Sequence, residues 1–244
     1  MIRVTRHGFR EMLIGSLVLI VVAVLIGWTL WWVLALIVLP VLIWLFAFFR
    51  DPERVVPVDQ HVLVSPADGK VSDITDLPHH EMLGGPCVRI GIFLSVFNVH
   101  INRSPCDGRV LDVQYKRGRF VNAMRHGQAS EENESNTMLL GEPTTGRPIV
   151  VVKQIVGLIA RRIIFTPRVG DMLRRGERIG MIKFGSRTEL YILKDLEPQV
   201  RVQVGQTVRG AQDVVAVLGK PIHTEIKQVN DAEFEPIVGR ETPA

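Results

Sequence analysis

Three short stretches of this 244-residue sequence carry side chains able to do chemistry. The first is Ser65-Pro66-Ala67-Asp68-Gly69-Lys70-Val71. Asp-Gly is a turn pair, and between two strand-like runs it reads as a hairpin turn. A carboxylate there can also orient an imidazole, as the acid of a catalytic triad does. The second is Phe93-Leu94-Ser95-Val96-Phe97-Asn98-Val99-His100-Ile101-Asn102-Arg103-Ser104-Pro105. His100 follows an apolar run and precedes a polar turn, a place where catalytic groups gather; a lone histidine is also a common structural residue. Arg103 is either an anion ligand or a solvated cation. The third is Met181-Ile182-Lys183-Phe184-Gly185-Ser186-Arg187-Thr188-Glu189-Leu190. Gly185-Ser186 alone reads as a turn or bulge, and the absence of Gly-x-Ser-x-Gly excludes a hydrolase nucleophile elbow.

The elements that must hold these groups are mostly strands. Leu111, Val113 and Tyr115 alternate with Asp112, Gln114 and Lys116, and Val200, Val202 and Val204 alternate with Arg201 and Gln203. Both patterns predict half-buried strands. Ile90–Val96 and Ile149–Val152 are continuous apolar runs that predict fully buried strands. Asn122–Asn136 is polar and predicts a loop or short helix. A weak internal repeat links Val169-Gly170-Asp171 through Gly176 to Ile179-Gly180-Met181-Ile182, and Val204-Gly205-Gln206 through Gly210 to Val214-Val215-Ala216-Val217. Each copy reads as turn, short strand, turn, strand. The expected fold is therefore mainly β (α+β), a compact sandwich or barrel-like domain of short hairpins.

The composition points elsewhere for the N-terminus. Hydrophobic residues make up 47% of the chain and charged residues 22%, which excludes disorder. Two cysteines, Cys87 and Cys106, exclude a disulfide scaffold. From Met12 to Phe49 there is no charged residue. As one helix that run would be roughly 57 Å long. Crossing a ~30 Å bilayer core, it would tilt by about 60°. Two short spans fit better, Met12–Gly27 and Leu30–Phe49, joined near Gly27-Trp28-Thr29, with Trp28, Trp31 and Trp32 suited to the interface and Pro40 placed to kink the second. Arg3, Arg6 and Arg10 precede the run and Arg50 and Arg54 follow it, so both ends are expected in the cytoplasm. A cleaved signal peptide fits poorly, since the run is too long and no small-residue cleavage site follows. A hairpin lying in the plane of the membrane stays open. Residues 1–50 thus read as a membrane anchor and 51–244 as a separate, mainly β domain, with Arg50-Asp51-Pro52-Glu53-Arg54 as the boundary.

Taken together and in this order, the three motifs resemble the phosphatidylserine decarboxylase family of pyruvoyl-dependent enzymes, in its short, single-domain bacterial form. The resemblance runs from Phe48-Phe49-Arg50-Asp51-Pro52-Glu53-Arg54 to about Gly219, and includes Gln154-Ile155-Val156-Gly157-Leu158-Ile159-Ala160-Arg161-Arg162-Ile163 and Glu132-Asn133-Glu134, where Ser135 replaces an arginine that often follows. The Phe-Gly-Ser-Arg setting of the Gly-Ser pair is its specific element. It implies a proenzyme that cuts itself between Gly185 and Ser186, leaving a larger chain (1–185) and a smaller chain (186–244) as a heterodimer. Ser186 would become a covalent pyruvoyl group, whose ketone forms a Schiff base with phosphatidylserine at the membrane. CO2 then leaves and phosphatidylethanolamine is released, without metal or pyridoxal phosphate. Glycine before the serine leaves the attack unobstructed, and the serine needs a base. His100 matches a family histidine. Arg103 stands where long members carry a second one, which in them pairs with the acid matching Asp68, so His100 is expected to serve both self-cleavage and decarboxylation. Arg103, Lys183 and Arg187 are the candidates for holding phosphate or carboxylate.

Other readings predict different observations. A membrane-tethered lipoyl- or biotinyl-like carrier or scaffold would stay one intact chain and needs a lysine at an exposed hairpin tip; Lys70 is its nearest candidate. A zinc peptidase of similar fold would need His-x-His, which is absent; His79-His80-Glu81 reads as an exposed loop. Nucleic-acid binding is suggested by the basic isoelectric point of about 9.3, but a formal charge of +4 is modest and anionic lipid explains it equally well. A homo-oligomer is compatible with the sequence.

Overall fold

The computed structural model describes residues 8–29, 36, 38–119, 130–157, 162–183, 186–220 and 222, with backbone alone at 26–29. Beyond residue 60 it is mainly β, as expected. One eight-stranded antiparallel sheet dominates, in the order β13-β2-β3-β11-β7-β6-β5-β9. Its strands are β2 (Gly69–His80), β3 (Gly85–Leu94), β5 (Gly108–Lys116), β6 (Ser135–Gly141), β7 (Pro148–Val156), β9 (Met172–Leu173), β11 (Ser186–Leu193) and β13 (Thr207–Val208). Among the described residues there are also two three-stranded sheets. One joins β1 (Val62–Val64), β14 (Val214–Leu218) and β12 (Pro198–Val200), and the other β4 (Ile101–Arg103), β10 (Arg178–Ile182) and β8 (Ile163–Phe165). The core between the sheets is aliphatic: Ile90, Ile92, Leu140, Val150, Leu190, Ile192 and Val215 are all fully buried.

The apolar runs behave as their composition requires. Ile149–Val152 lies buried in β7, and Ile90–Leu94 in β3, which ends before Ser95 because that residue enters a turn. The alternating Leu111–Lys116 stretch is the end of β5, with Tyr115 exposed. The strand expected over Val200–Val204 stops at Val200: Val202 is buried, whereas Val204 is exposed where the chain turns toward Gly205. Of the polar Asn122–Asn136 stretch, 122–129 lies outside the described residues; 130–132 are helical and Ser135 already begins β6. His79 and His80 belong to β2 rather than to a loop, and the His80 ring packs 4.5 Å from that of Tyr191.

The repeat is real and larger than the expected one. Its two copies form β9 with β10, and β13 with β14, each a two-residue strand, a turn and a five-residue strand. They pair with a second repeated unit, Ser65-Pro66-Ala67-Asp68-Gly69 and Ser104-Pro105-Cys106-Asp107-Gly108. The hydrogen bonds correspond: Gly176 N donates to Ser104 O and Ala211 N to Ser65 O, while Arg175 N donates to the Asp107 carboxylate and Gly210 N to that of Asp68. Val64 N donates to Pro105 O and Arg103 N to Pro66 O, so the two turns cross each other. The domain thus has an internal pseudo-twofold relation in which β4–β10 corresponds to β1–β14. The corresponding turns need positive φ, +79° at Gly176 and +63° at Ala211, and glycine is the unstrained choice.

Ahead of this domain, α1 (Phe9–Thr29) and α2 (Val38–Phe48) form a helical pair. The first helix runs through Gly27–Thr29, where a join was expected, and Trp28, Trp31 and Trp32 lie outside the described side chains. Pro40 falls in the first turn of α2, where a missing N–H leaves no hydrogen bond unmade, so it starts the helix rather than kinking it. Among the described residues no helix is long and apolar enough to cross a membrane. The outward faces are apolar nonetheless: Leu13, Ile14, Leu17, Val24, Leu25 and Ile43 are exposed. The foot of the pair is docked, with Met12, Phe48 and Phe49 buried against Val99, Ile101 and Met181. The polar stretch after it is fixed too: buried Asp51 accepts from Arg103 at 2.6 Å and Arg178 at 2.5 Å.

Candidate active site

Ser186 opens β11, the strand clamped between β3 and β7, opposite Leu94 on one side and Val156 on the other. It is fully buried, and its Oγ has no hydrogen-bond partner. A buried hydroxyl left unsatisfied is costly, so this oxygen stands in a place kept for something other than stability. Phe184 and Gly185 lie outside the described residues.

His100 is brought to the same end of the strand pair. Ile182 N donates to His100 O, tying the histidine to the segment that leads into Ser186. On the other side Asn102 Nδ2 donates to Thr188 Oγ1 at 2.9 Å. Asn102 shares its strand face with His100, and Thr188 shares its face with Ser186, so this bond turns the two faces together. Gln154 Nε2 steadies it by donating to Asn102 Oδ1 at 2.8 Å. His100 Nδ1 lies 2.9 Å from Asn98 O. A carbonyl only accepts, so Nδ1 carries the proton and Nε2 presents its lone pair. Nε2 is buried and, like Ser186 Oγ, has no partner. The imidazole lies 4.3 Å from the Phe48 ring. Burial lowers its pKa to about 4, against the opposing Asn98 bond and with the Arg50 charge adding to the drop. The imidazole is neutral at ordinary pH, the form a base needs.

The other expected residues are placed differently. Asp68 accepts from Arg54 at 2.7 Å and from Gly210 N at 2.8 Å; the backbone of Asn98 orients His100 instead. Burial raises the Asp68 pKa, against the pull of Arg54. Arg103 is buried on Asp51, Gly176 O and Pro52 O. Arg187 is fully buried on the opposite face of β11, bonded to Asp73 at 2.5 Å, Ser72 at 2.5 Å and Glu189 at 2.8 Å. Both guanidiniums are consumed by structural ion pairs. Lys183 bonds to Glu11 of α1, whose side chain is 40% exposed. Lys70 lies inside β2, paired with Phe93 and Thr207, and not at a hairpin tip.

The sequence reading missed the groups around Arg187. Glu189 accepts from Ser130 at 2.5 Å and Tyr191 at 2.6 Å as well as from Arg187. Burial pushes its pKa up, but Arg187 and the two hydroxyls pull it below the usual carboxylate range. A Cβ at Gly91 would collide with the Arg187 guanidinium, so the neighbouring strand gives way there. The available signal was the alternation Arg187, Glu189, Tyr191, a period-two polar stripe in an otherwise apolar strand. Phe48 and Asn102 carried no such signal, because an aromatic beside a hydrophobic segment and an asparagine near a turn are both ordinary.

Comparison with known proteins supplies what geometry alone does not. The family model described as phosphatidylserine decarboxylase matches residues 41–216. A protein of Rhodopirellula baltica named phosphatidylserine decarboxylase proenzyme is 46% identical over 211 residues, covering 86% of each chain. Proteins with the same name from Syntrophus aciditrophicus and Geotalea uraniireducens are 47% and 40% identical, covering 72% and 88% of this chain and 81% and 96% of their own.

Proposed function

This chain belongs to the phosphatidylserine decarboxylase family of carboxy-lyases, and on that premise we propose that it is a proenzyme that cuts its own Gly185–Ser186 bond and then converts phosphatidylserine to phosphatidylethanolamine and CO2. The observation that carries the reading is the pair of orphaned buried atoms, Ser186 Oγ and His100 Nε2, at one end of β11. They fit a serine that is to be consumed and a base that is to consume it. His100 Nε2 takes the hydroxyl proton, and Oγ attacks the Gly185 carbonyl. The Ser186 nitrogen leaves that carbonyl and takes up a proton, which turns the amide into an ester. Loss of the Ser186 Cα proton expels the Gly185 carboxylate, and water then replaces nitrogen, which departs as ammonia. The pyruvoyl group so made supplies a ketone that takes up the substrate amine and accepts the electron pair as CO2 leaves. His100 holds the exchangeable proton at Nε2 in that second reaction too, kept dry by Phe48.

The remaining residues bind and hold. Asp68 fixes the turn beneath Arg103 through Arg54 and Gly210. Of the three cations considered for the headgroup, Lys183 is retained, since its Glu11 partner is partly exposed and can exchange for an anion, whereas Arg103 and Arg187 are locked. β11 keeps its full ladders to β3 and β7 when the bond before Ser186 is cut, which supports a heterodimer of residues 1–185 and 186–244. The exposed apolar faces of α1 and α2 support attachment to the cytoplasmic membrane, with the catalytic domain on the cytoplasmic side.

Intact mass of the purified protein tests the reading. Two chains dividing at Gly185, the smaller lacking a free amine at its first residue and labelled by hydroxylamine, are expected. Ser186→Ala should remain one uncut, inactive chain. A single unlabelled wild-type chain that still releases CO2 would sink the proposal. The carrier alternative has no observation in its favour, since Lys70 sits within a strand.

A further inference from the structure

The turn between β3 and His100 presents an unexplained side chain. Phe97 is 71% exposed, although the loop that carries it is tightly built. Asn98 Oδ1 accepts from Ser95 N at 2.9 Å and Ser95 Oγ at 2.8 Å, and Asn98 N donates to Ser95 O. Arg50, just past α2, donates to Phe97 O at 2.8 Å and to Ala47 O at 2.6 Å. The tip is therefore held against the foot of the helical pair, and the ring is offered outward by a rigid backbone. An aromatic ring fixed in water beside a guanidinium and an exposed apolar helix pair has the makeup of a membrane-interface anchor. The loop also lies at the business end of the sheet: Leu94, one residue before it, pairs with Ser186, and Asn98 within it holds His100.

We infer that Phe97 is a membrane-contact residue, inserting among the headgroups and upper acyl chains of the bilayer while Arg50 sits at the phosphate level. The occupant of this surface is lipid. The apolar faces of α1 and α2 continue from the same foot, and the substrate of the family is itself a phospholipid. The loop thereby sets the depth of Ser186 and His100 at the headgroup layer, where a serine headgroup can reach them without its chains leaving the bilayer. This inference rests on the membrane reading above.

Site-directed fluorescence tests it. Cys87 and Cys106 are buried, so Phe97→Cys can be labelled singly with an environment-sensitive dye. Thr144→Cys, in the exposed turn between β6 and β7 at the far end of the strands from Ser186, is the control. On vesicles of phosphatidylcholine and phosphatidylglycerol in equal parts, a nitroxide on the lipid headgroup should quench the dye at 97 and leave the dye at 144 unchanged. Phe97→Asp should mature normally and turn over a soluble short-chain phosphatidylserine at the wild-type rate. Its KM for vesicle substrate should rise about tenfold, the order expected for one lost aromatic contact. If the protein sediments with vesicles but the dye at 97 stays in water and KM is unmoved, the anchor is refuted while the membrane reading stands. If the wild-type protein does not sediment with vesicles at all, both fall.

Discussion

At the level of single residues, the proposed chemistry turns on a histidine kept neutral by its surroundings. His100 spends Nδ1 on a backbone carbonyl, and Nε2 is left to act. Replacing it by glutamine preserves size and one polar atom but removes the ability to take a proton. Self-cleavage of His100→Gln should slow by about 10²–10⁴-fold, read as uncut chain on a denaturing gel over time. The sign of the pH dependence follows from burial. The folded pKa of about 4 lies below the ordinary 6.5, so the base form persists as pH falls through 6. Scission should be flat from pH 8 to about 5 and drop about tenfold per unit below about 4. A break near 6.5 would mean that the imidazole titrates in water, and that Phe48 does not shield it.

At the level of elements, β11 divides its work between two faces. Ser186 and Thr188 face the histidine strand, while Arg187 and Glu189 are sunk into a buried ionic cluster with Asp73. Arg187→Met leaves two carboxylates without their shared cation, and breaking a buried pair from one side costs about 3–5 kcal/mol. Urea unfolding of the uncut Ser186→Ala background should show that loss, and Arg187→Met, Glu189→Gln together should recover part of it. Equal stability of Arg187→Met and its parent would mean that the cluster is open to water. Much of this element could be read beforehand. The apolar runs of β3 and β7 are local signals whose composition states their burial, whereas the Gly-Ser pair speaks only through the family resemblance of its Phe-Gly-Ser-Arg setting. The destination of Arg187, Arg103 and Asp68 could not be read, because a charge beside a motif looks the same whether it faces a substrate or a buried carboxylate. Arg187 reaches Asp73 on β2 besides Glu189 on its own strand, and the partner of Arg103 lies in the segment after α2. The second S-P-x-D-G turn was legible and went unnoticed; once paired with the first, it would have indicated the internal twofold and the correspondence of His100 with His61, each bonded through its carbonyl to the end of a matching strand.

At the level of the molecule, the proposed cut would fall just ahead of Ser186, where the ladders of β11 to β3 and β7 begin. The two product chains should copurify and unfold in one transition in calorimetry, and separation by dilution alone would contradict the continuous pairing of β11 with β3 and β7. The interleaved pseudo-twofold has a further result. One half joins β1 near the start of the domain to β14 near its end, while the other is built wholly from chain between them. The turn carrying Asp68 stays open until Gly210 and Ala211 arrive. A polypeptide still threaded through the ribosome therefore has Ser186 and His100 in hand but an unfinished frame around them. Self-scission is therefore expected to await the segment bearing Gly210 and Ala211, and a chain truncated after Leu193 should stay uncut on a denaturing gel while the full-length protein divides.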